Sequence, residues 1–204
     1  MSDAAIVYLV DDEPGMLKAL ARLLGGEGFQ IKSYASARTF LAEPEMHGCV
    51  ILDVAMPEMN GMEVLRLLRA KGSHVPVIFL TGHGDIPMSV RAMKSGAVDF
   101  LTKPVRSEDL IRAVKSALDL LEKSDQKQEE VERLRILYAQ LTAREKEVLA
   151  HVISGKPNKQ IAFALGTTEQ TVKIHRMRVM HKMQAESIVD LVHIAQSLGV
   201  SAAE

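Results

Sequence analysis

Over its first 118 residues the chain repeats one unit: a run of four to six mainly apolar residues, a turn, then apolar residues at helical spacing. Such alternation reads as βα units, because a strand buried on both faces needs a covering helix before the next parallel strand. The runs at 6–10, 31–34, 50–53, 77–81 and 99–102 are the predicted strands, with helices near 15–24, 36–42, 61–70, 86–95 and from 107 onward. The first, third and fourth runs (Ile-Val-Tyr-Leu-Val, Val-Ile-Leu, Val-Ile-Phe-Leu) are apolar throughout, as central parallel strands are. The expected fold class for residues 1–120 is a doubly wound α/β domain with a five-stranded parallel sheet.

From Ser107, a pattern of Leu110, Val114, Leu118 and Leu121 continues through a charged stretch to Val131, Leu134 and Tyr138 without a Gly or Pro. The Glu, Lys, Gln, Arg and Leu content favours helix, although Ser124, Asp125 and Gln128 interrupt the seven-residue seam. Residues 121–140 therefore read as a long helical linker with a weak coiled-coil tendency, with a solvated, partly ordered connection as the alternative. From 141 onward no strand run is found, and Gly155, Pro157, Gly166 and Gly199 divide the chain into short helices. Thr142 with Glu145 three residues on is a capping-box signature opening a helix through Ile153. Asn158 starts a second through Leu165, Thr167 or Thr168 caps a third through about Met183, and Ser187 caps a fourth through Leu198. A short helix, a Gly-containing turn and a longer basic helix form a helix-turn-helix, so residues 141–204 are expected to be an all-α DNA-binding domain.

Charge follows the same division. The formal net charge of the whole chain is only −1, but residues 1–118 carry 13 Lys/Arg against 14 Asp/Glu, residues 119–140 carry 4 against 6, and residues 141–204 carry 8 against 6. Six of those last cations lie between Lys156 and Lys182, where Glu169 is the only acid, and a local basic stripe suits nucleic acid. The longest apolar stretches, 49–52 and 75–80, fall far short of the roughly 18 residues a spanning helix needs. The opening Met-Ser-Asp-Ala-Ala has neither the basic segment nor the apolar core of a secretory signal, so a cytoplasmic protein without membrane association is expected. The single cysteine, Cys49, excludes an internal disulfide or a cysteine zinc cluster and reads as a small buried hydrophobe.

Asp11 and Asp12 follow the first strand and Asp53 ends the third, and ligand sites of open α/β sheets form at such carboxyl ends. In strand order 2-1-3-4-5 the first and third strands flank the switch point, so these acids share one crevice. Clustered carboxylates repel unless a cation offsets them, and an all-oxygen cluster open to solvent suits Mg²⁺. Thr81 ends the fourth strand, with Gly82 leaving room for a ligand, and Lys103 ends the fifth just before Pro104. Asp53 as nucleophile would form an acyl phosphate while Mg²⁺ and Lys103 stabilise the transferring phosphoryl charge. Singly, each of these residues also reads as an ordinary helix cap or surface lysine.

Asp11-Asp12-Glu13, Asp53 with Met56-Pro57 and Asn60-Gly61, Thr81-Gly82-His83-Gly84-Asp85, and Lys103-Pro104 resemble the receiver domain of two-component response regulators. Leu141-Thr142-Ala143-Arg144-Glu145 with Gly155, Asn158-Lys159-Gln160-Ile161-Ala162, and Thr171-Val172-Lys173-Ile174-His175-Arg176 resemble the LuxR-type DNA-binding domain. The pairing resembles the FixJ-type branch, and the resemblance covers the whole chain. It implies a phosphorylation-activated transcriptional regulator with Asp53 as phosphoacceptor. It further implies Mg²⁺ held by Asp11, Asp12, Asp53 and the backbone carbonyl of Ala55, with Lys103 at the phosphate and Thr81 and Phe100 as the switch pair. The implied partners are a sensor histidine kinase, double-stranded promoter DNA, a second copy of the chain on phosphorylation, and RNA polymerase. Ala55 departs from the pattern, being small where relatives of this branch often carry a larger residue such as Arg, which bears on acyl-phosphate lifetime.

On the basic helix, Val172, Val179 and Met183 form one apolar face toward a core. Glu169, Gln170, Lys173, Ile174 and Met177 lie away from it, toward the outside or its margins, where Lys173 is expected to reach guanine O6 and N7 and Ile174 to pack on a thymine methyl. Arg176, Arg178, Lys182 and, from the preceding helix, Lys159 read as phosphate contacts, and the resemblance adds Thr171. His175, near the apolar face, reads as a structural histidine, with a DNA contact as the alternative. Two other function classes use parts of this residue set: an aspartyl-nucleophile phosphatase, and a DNA-binding adaptor indifferent to phosphate.

Overall fold

The computed structural model describes residues 5–44, 46–82 and 86–203. The chain divides into two compact units, residues 1–124 and 125–204. In the first, β1 (Ile6–Val10), β2 (Gln30–Tyr34), β3 (Cys49–Leu52), β4 (Val77–Thr81) and β5 (Asp99–Thr102) form a parallel sheet in the order β2-β1-β3-β4-β5. Helices α1 (Pro14–Gly26), α2 (Ala37–Leu41), α3 (Gly61–Ala70), α4 (Ile86–Lys94) and α5 (Ser107–Ala139) alternate with the strands. Fold class and strand order are those expected from the sequence.

The sheet's core follows from the two-residue alternation of strand side chains. Tyr8, Val10, Val50, Leu52, Val77 and Phe79 point to one face and pack with Phe40, Val64, Leu65, Leu68 and Ala92. Val7, Leu9, Cys49, Ile51, Ile78 and Leu80 point to the other and meet Leu17, Leu20 and Leu24 of α1 and Leu110, Val114 and Ala117 of α5. Each fully buried Leu, Ile or Val contributes about 1.5–3 kcal/mol, which is why these strands carry no polar residue until their carboxyl ends. Cys49 is the small buried hydrophobe expected, with its thiol pKa pushed up to about 12 by burial.

Local signals set the helix ends. Pro14 occupies the first turn of α1, and Asn60 caps α3 in a reciprocal capping box with Glu63. Residues 107–139 form one helix, the helical reading of the linker. The second unit contains the end of α5 with α6 (Ala143–Ile153), α7 (Asn158–Ala164), α8 (Glu169–Lys182) and α9 (Ile188–Ser197). The Thr142–Glu145 capping box forms as expected, Thr168 caps α8, and Ser187 caps α9. The core of this unit joins Val148, Leu149, Val152, Ile161, Val172, Val179, Met183, Leu191 and Ile194 with Leu134 of α5, and Leu137 and Tyr138 pack against it. The Lys146 ammonium lies 4.7 Å from the Tyr138 ring centroid, and Arg133 links Glu130 to Gln184. The last turns of α5 thus belong structurally to the helical unit.

Candidate functional sites: an acidic pocket and a basic helix

Pairing of β1 with β3 brings Asp11 and Asp53 side by side, since Val10 faces Leu52 and the Asp53 N–H donates to the Val10 carbonyl at 2.9 Å. Both carboxylates are buried. The Lys103 ammonium enters between them, 2.6 Å from Asp11 Oδ2 and 3.1 Å from Asp53 Oδ1. The second Asp53 oxygen accepts from the Ala55 N–H at 2.9 Å, and Asp11 Oδ1 accepts from the Glu13 N–H at 2.8 Å. Burial works against the charge on Lys103, but its bonds to Asp11 and Asp53 outweigh that and raise its pKa above the ordinary lysine value. Lys103 therefore stays an ammonium through the neutral range, supplying the cation that two adjacent carboxylates require.

Thr81 is fully buried at the end of β4, and a Cβ built on Gly82 would meet open space. The remaining motif residues, His83, Gly84 and Asp85, lie outside the described residues. The peptide bond between Lys103 and Pro104 is cis. Phe100, half-buried on β5, faces Phe79 across the β4–β5 pairing with ring centroids 6.2 Å apart. Asp12 is exposed at the pocket rim, and among the described residues no three acidic, histidine or cysteine side chains converge into a metal cage. Asp11, Asp53 and Lys103 are the residues brought into direct contact. The carboxylate oxygens of Asp11 and Asp53, with the exposed Asp12 next in the chain, are hard donors of the kind that fit a cation binding through one or two carboxylates and keeping its waters.

One positioning residue shows in the sequence only as part of the Asn60-Gly61 motif. A Cβ on Gly61 would lie 2.4 Å from the Asp53 carbonyl oxygen and 3.1 Å from Val54 Cα, so α3 starts directly against the backbone of the acidic strand end. Gly61→Ala should displace that contact and destabilise the unit by about 1–3 kcal/mol. Denaturant unfolding measures this, and an unchanged midpoint would show that the loop gives way freely.

In the helical unit, α8 buries Val172, Val179 and Met183 as expected. Lys173 and Arg178 are exposed on its outer side, Ile174 is partly exposed, and Lys159 is exposed on α7. Three other candidates have partners inside the fold. The Thr171 hydroxyl lies 2.9 Å from that of the capping Thr168, and Arg176 donates to Asn158 Oδ1 at 3.0 Å, tying α8 to α7. Lys182 donates to Glu145 Oε2 at 2.6 Å and to the Gln140 carbonyl at 3.2 Å. Glu145 is buried, and its bond from Lys182 outweighs the opposing effect of burial to hold its pKa below the ordinary carboxylate value. The ammonium of Lys182 is thus occupied by the fold, unlike those of Lys159 and Lys173. His175 is half-buried, with its Nδ1 enclosed and without a hydrogen-bond partner, in keeping with an inward-facing role.

Comparison with known proteins finds a family for each unit. Residues 7–115 match the response regulator receiver domain, and residues 139–195 match the bacterial regulatory proteins of the luxR family. The chain is 44% identical to response regulator protein TodT of Pseudomonas putida F1 over 97% of its own length and 88% of TodT. It is 41% identical to transcriptional regulatory protein FixJ of Rhizobium meliloti 1021, covering 95% of this chain and 96% of FixJ. The solved structure of response regulator StyR superposes with a TM-score of 0.80 at 42% identity, covering 95% of this chain and 98% of StyR. These relatives set aside the phosphatase reading. Among the described residues no helix is long and apolar enough to cross a membrane. A receiver-type sheet followed by a helix-turn-helix, matched over nearly the whole length by transcriptional relatives, makes this chain a member of the two-component response regulators with a LuxR-family DNA-binding domain.

Proposed function

We propose that Asp53 is the phosphoacceptor through which this regulator is activated, and that the Lys103 bridge to Asp11 and Asp53 is the observation that carries the assignment. Asp53 is the buried acid at the central strand end, one oxygen held by Lys103 and the other by the Ala55 N–H. That leaves a nucleophile oriented by a cation and a backbone donor, next to the exposed Asp12. Asp11, Asp12, Asp53 and the Ala55 carbonyl would hold Mg²⁺, through one or two of the carboxylates at a time and with the ion keeping waters. When bound, the ion offsets negative charge on the incoming phosphoryl oxygens. Ala55, two residues after the acceptor, is exposed and small, and its size bears on acyl-phosphate lifetime.

Phosphate on Asp53 would supply a new acceptor for the Thr81 hydroxyl, and Phe100 would turn inward as Thr81 moves, giving the differential contacts a two-state change requires. The adjacent α4 surface exposes Ile86, Val90 and Met93 along one helical stripe, Ile86 at 80%, which supports pairing with a second copy of the chain. Sensor histidine kinase, promoter DNA and RNA polymerase complete the partner set, in the cytoplasm. Lys173 and Ile174 read bases, whereas Lys159 and Arg178 contact phosphates. Thr171, Arg176 and Lys182 support the reading surface, because their polar groups are engaged by Thr168, Asn158 and Glu145.

Dimerisation is tested by sedimentation velocity with and without acetyl phosphate and Mg²⁺. The parent should shift to a dimer on labelling. Val90→Lys should accept the label and stay monomeric, and a dimer formed equally by the variant would exclude the α4 face.

A further inference from the structure

The outer face of α8 carries an apolar pair that the domain core does not absorb. The buried residues Val172, Val179 and Met183 mark the inner side. At about 100° per residue, Ile174 and Met177 fall on the opposite side, about 60° apart around the axis. Their exposures, 38% and 65%, agree with that placement. Gln170 lies one turn before them and His181 one turn after, both exposed, and Lys173 flanks Met177 at the i, i+4 spacing. The outward surface is therefore a polar helix face with hydrocarbon at its centre.

Thymine's C5 methyl is the apolar feature on the major-groove edges of the four bases. A helix pair three residues apart sets its Cβ atoms about 5–6 Å from each other. Base pairs follow one another every 3.4 Å or so along B-DNA. The pair therefore spans one to two base steps, and Met, being unbranched and polarisable, follows a methyl whose position varies slightly with local DNA shape. We infer that Ile174 and Met177 together read the C5 methyl groups of two thymines one or two steps apart, beside the base contacted by Lys173. This rests on the DNA-reading role of α8 given above and adds Met177 as a specificity-determining residue.

The full chain, labelled with acetyl phosphate and Mg²⁺, would first select its preferred duplexes from a random pool. Each thymine of the selected half-site is then replaced by uracil, which removes the methyl and leaves every hydrogen-bonding group in place. Parent protein should lose about fourfold in affinity at each of two thymines, the effect of one buried methyl group. Met177→Ala should abolish the methyl dependence at one thymine, Ile174→Ala at the other, and Lys173→Ala at neither. The uracil series on the parent needs no variant and so is independent of any folding defect. Affinity indifferent to uracil throughout, or methyl dependence persisting in the Ile174→Ala/Met177→Ala double variant, would overturn the inference while leaving DNA binding intact. A selection that retains no duplex above the starting pool would overturn the DNA-reading role of α8 along with it.

Discussion

Asp53→Asn should eliminate covalent labelling by acetyl phosphate and, with it, any phosphodonor-dependent gain in DNA affinity. The substitution keeps size and one carbonyl-type acceptor for Lys103, but an amide oxygen is no nucleophile toward phosphorus at neutral pH. Stability should change little, because loss of the acceptor for the Ala55 N–H opposes the relief of a buried charge. In the parent one ammonium serves two buried carboxylates, and removing one of those charges leaves Lys103 and Asp11 as a balanced pair. Peptide mass spectrometry and thermal unfolding together make the test. An adduct on Asp11 or Asp12 of the parent would reassign the acceptor, and an undiminished DNA response in the variant would favour the phosphate-indifferent adaptor. In excess EDTA the parent should label poorly, because Lys103 alone then offsets one of the carboxylate charges and the remainder repels the incoming phosphate.

Lys182→Met should destabilise the helical unit by about 1–3 kcal/mol at neutral pH, since it leaves the buried Glu145 carboxylate without its ammonium partner. The pH dependence has a definite sign. Glu145 has a folded-state pKa below its ordinary 4.5, so the pair's contribution is fully present above that ordinary value and is lost as pH falls through the depressed one. Parent and variant should therefore differ most near pH 7 and converge in acid, as denaturant unfolding at several pH values would record. A variant of unchanged stability that bound every duplex more weakly would instead restore Lys182 as a phosphate contact.

The sheet was legible because its central strands are long apolar runs with turn residues between, and no other element type fits four or five consecutive buried residues so bounded. The linker was half legible. Its composition signals helix, but Leu134, Leu137 and Tyr138 offer the same spacing whether they face a second helix or the domain that follows. At the acidic pocket, sequence located the strand ends yet treated Asp11 and Asp12 alike, and only the direction of the chain past Val10 decides that Asp11 meets Lys103 while Asp12 faces solvent. The intramolecular partners of the basic helix were hidden for a related reason. Cations are visible in sequence, but the groups that occupy Arg176 and Lys182 lie 18 and 37 residues away in the chain, where no periodicity announces them. Met177 shows the converse, since helical spacing already sets it away from the buried seam and its 65% exposure agrees with that placement.

Because Leu134 is buried among residues of the helical unit, the seam along which such a protein could be recombined falls upstream of the point where its sequence changes character. A fusion joined just before Leu141 would strip the DNA-binding module of a hydrophobic anchor and of the Tyr138–Lys146 contact, whereas a joint near Asp125 would carry both across. New input modules grafted onto this output should therefore be tolerated when the exchange retains the last turns of α5, and the loss of one buried Leu side chain, about 2–5 kcal/mol, sets the scale of failure when it does not.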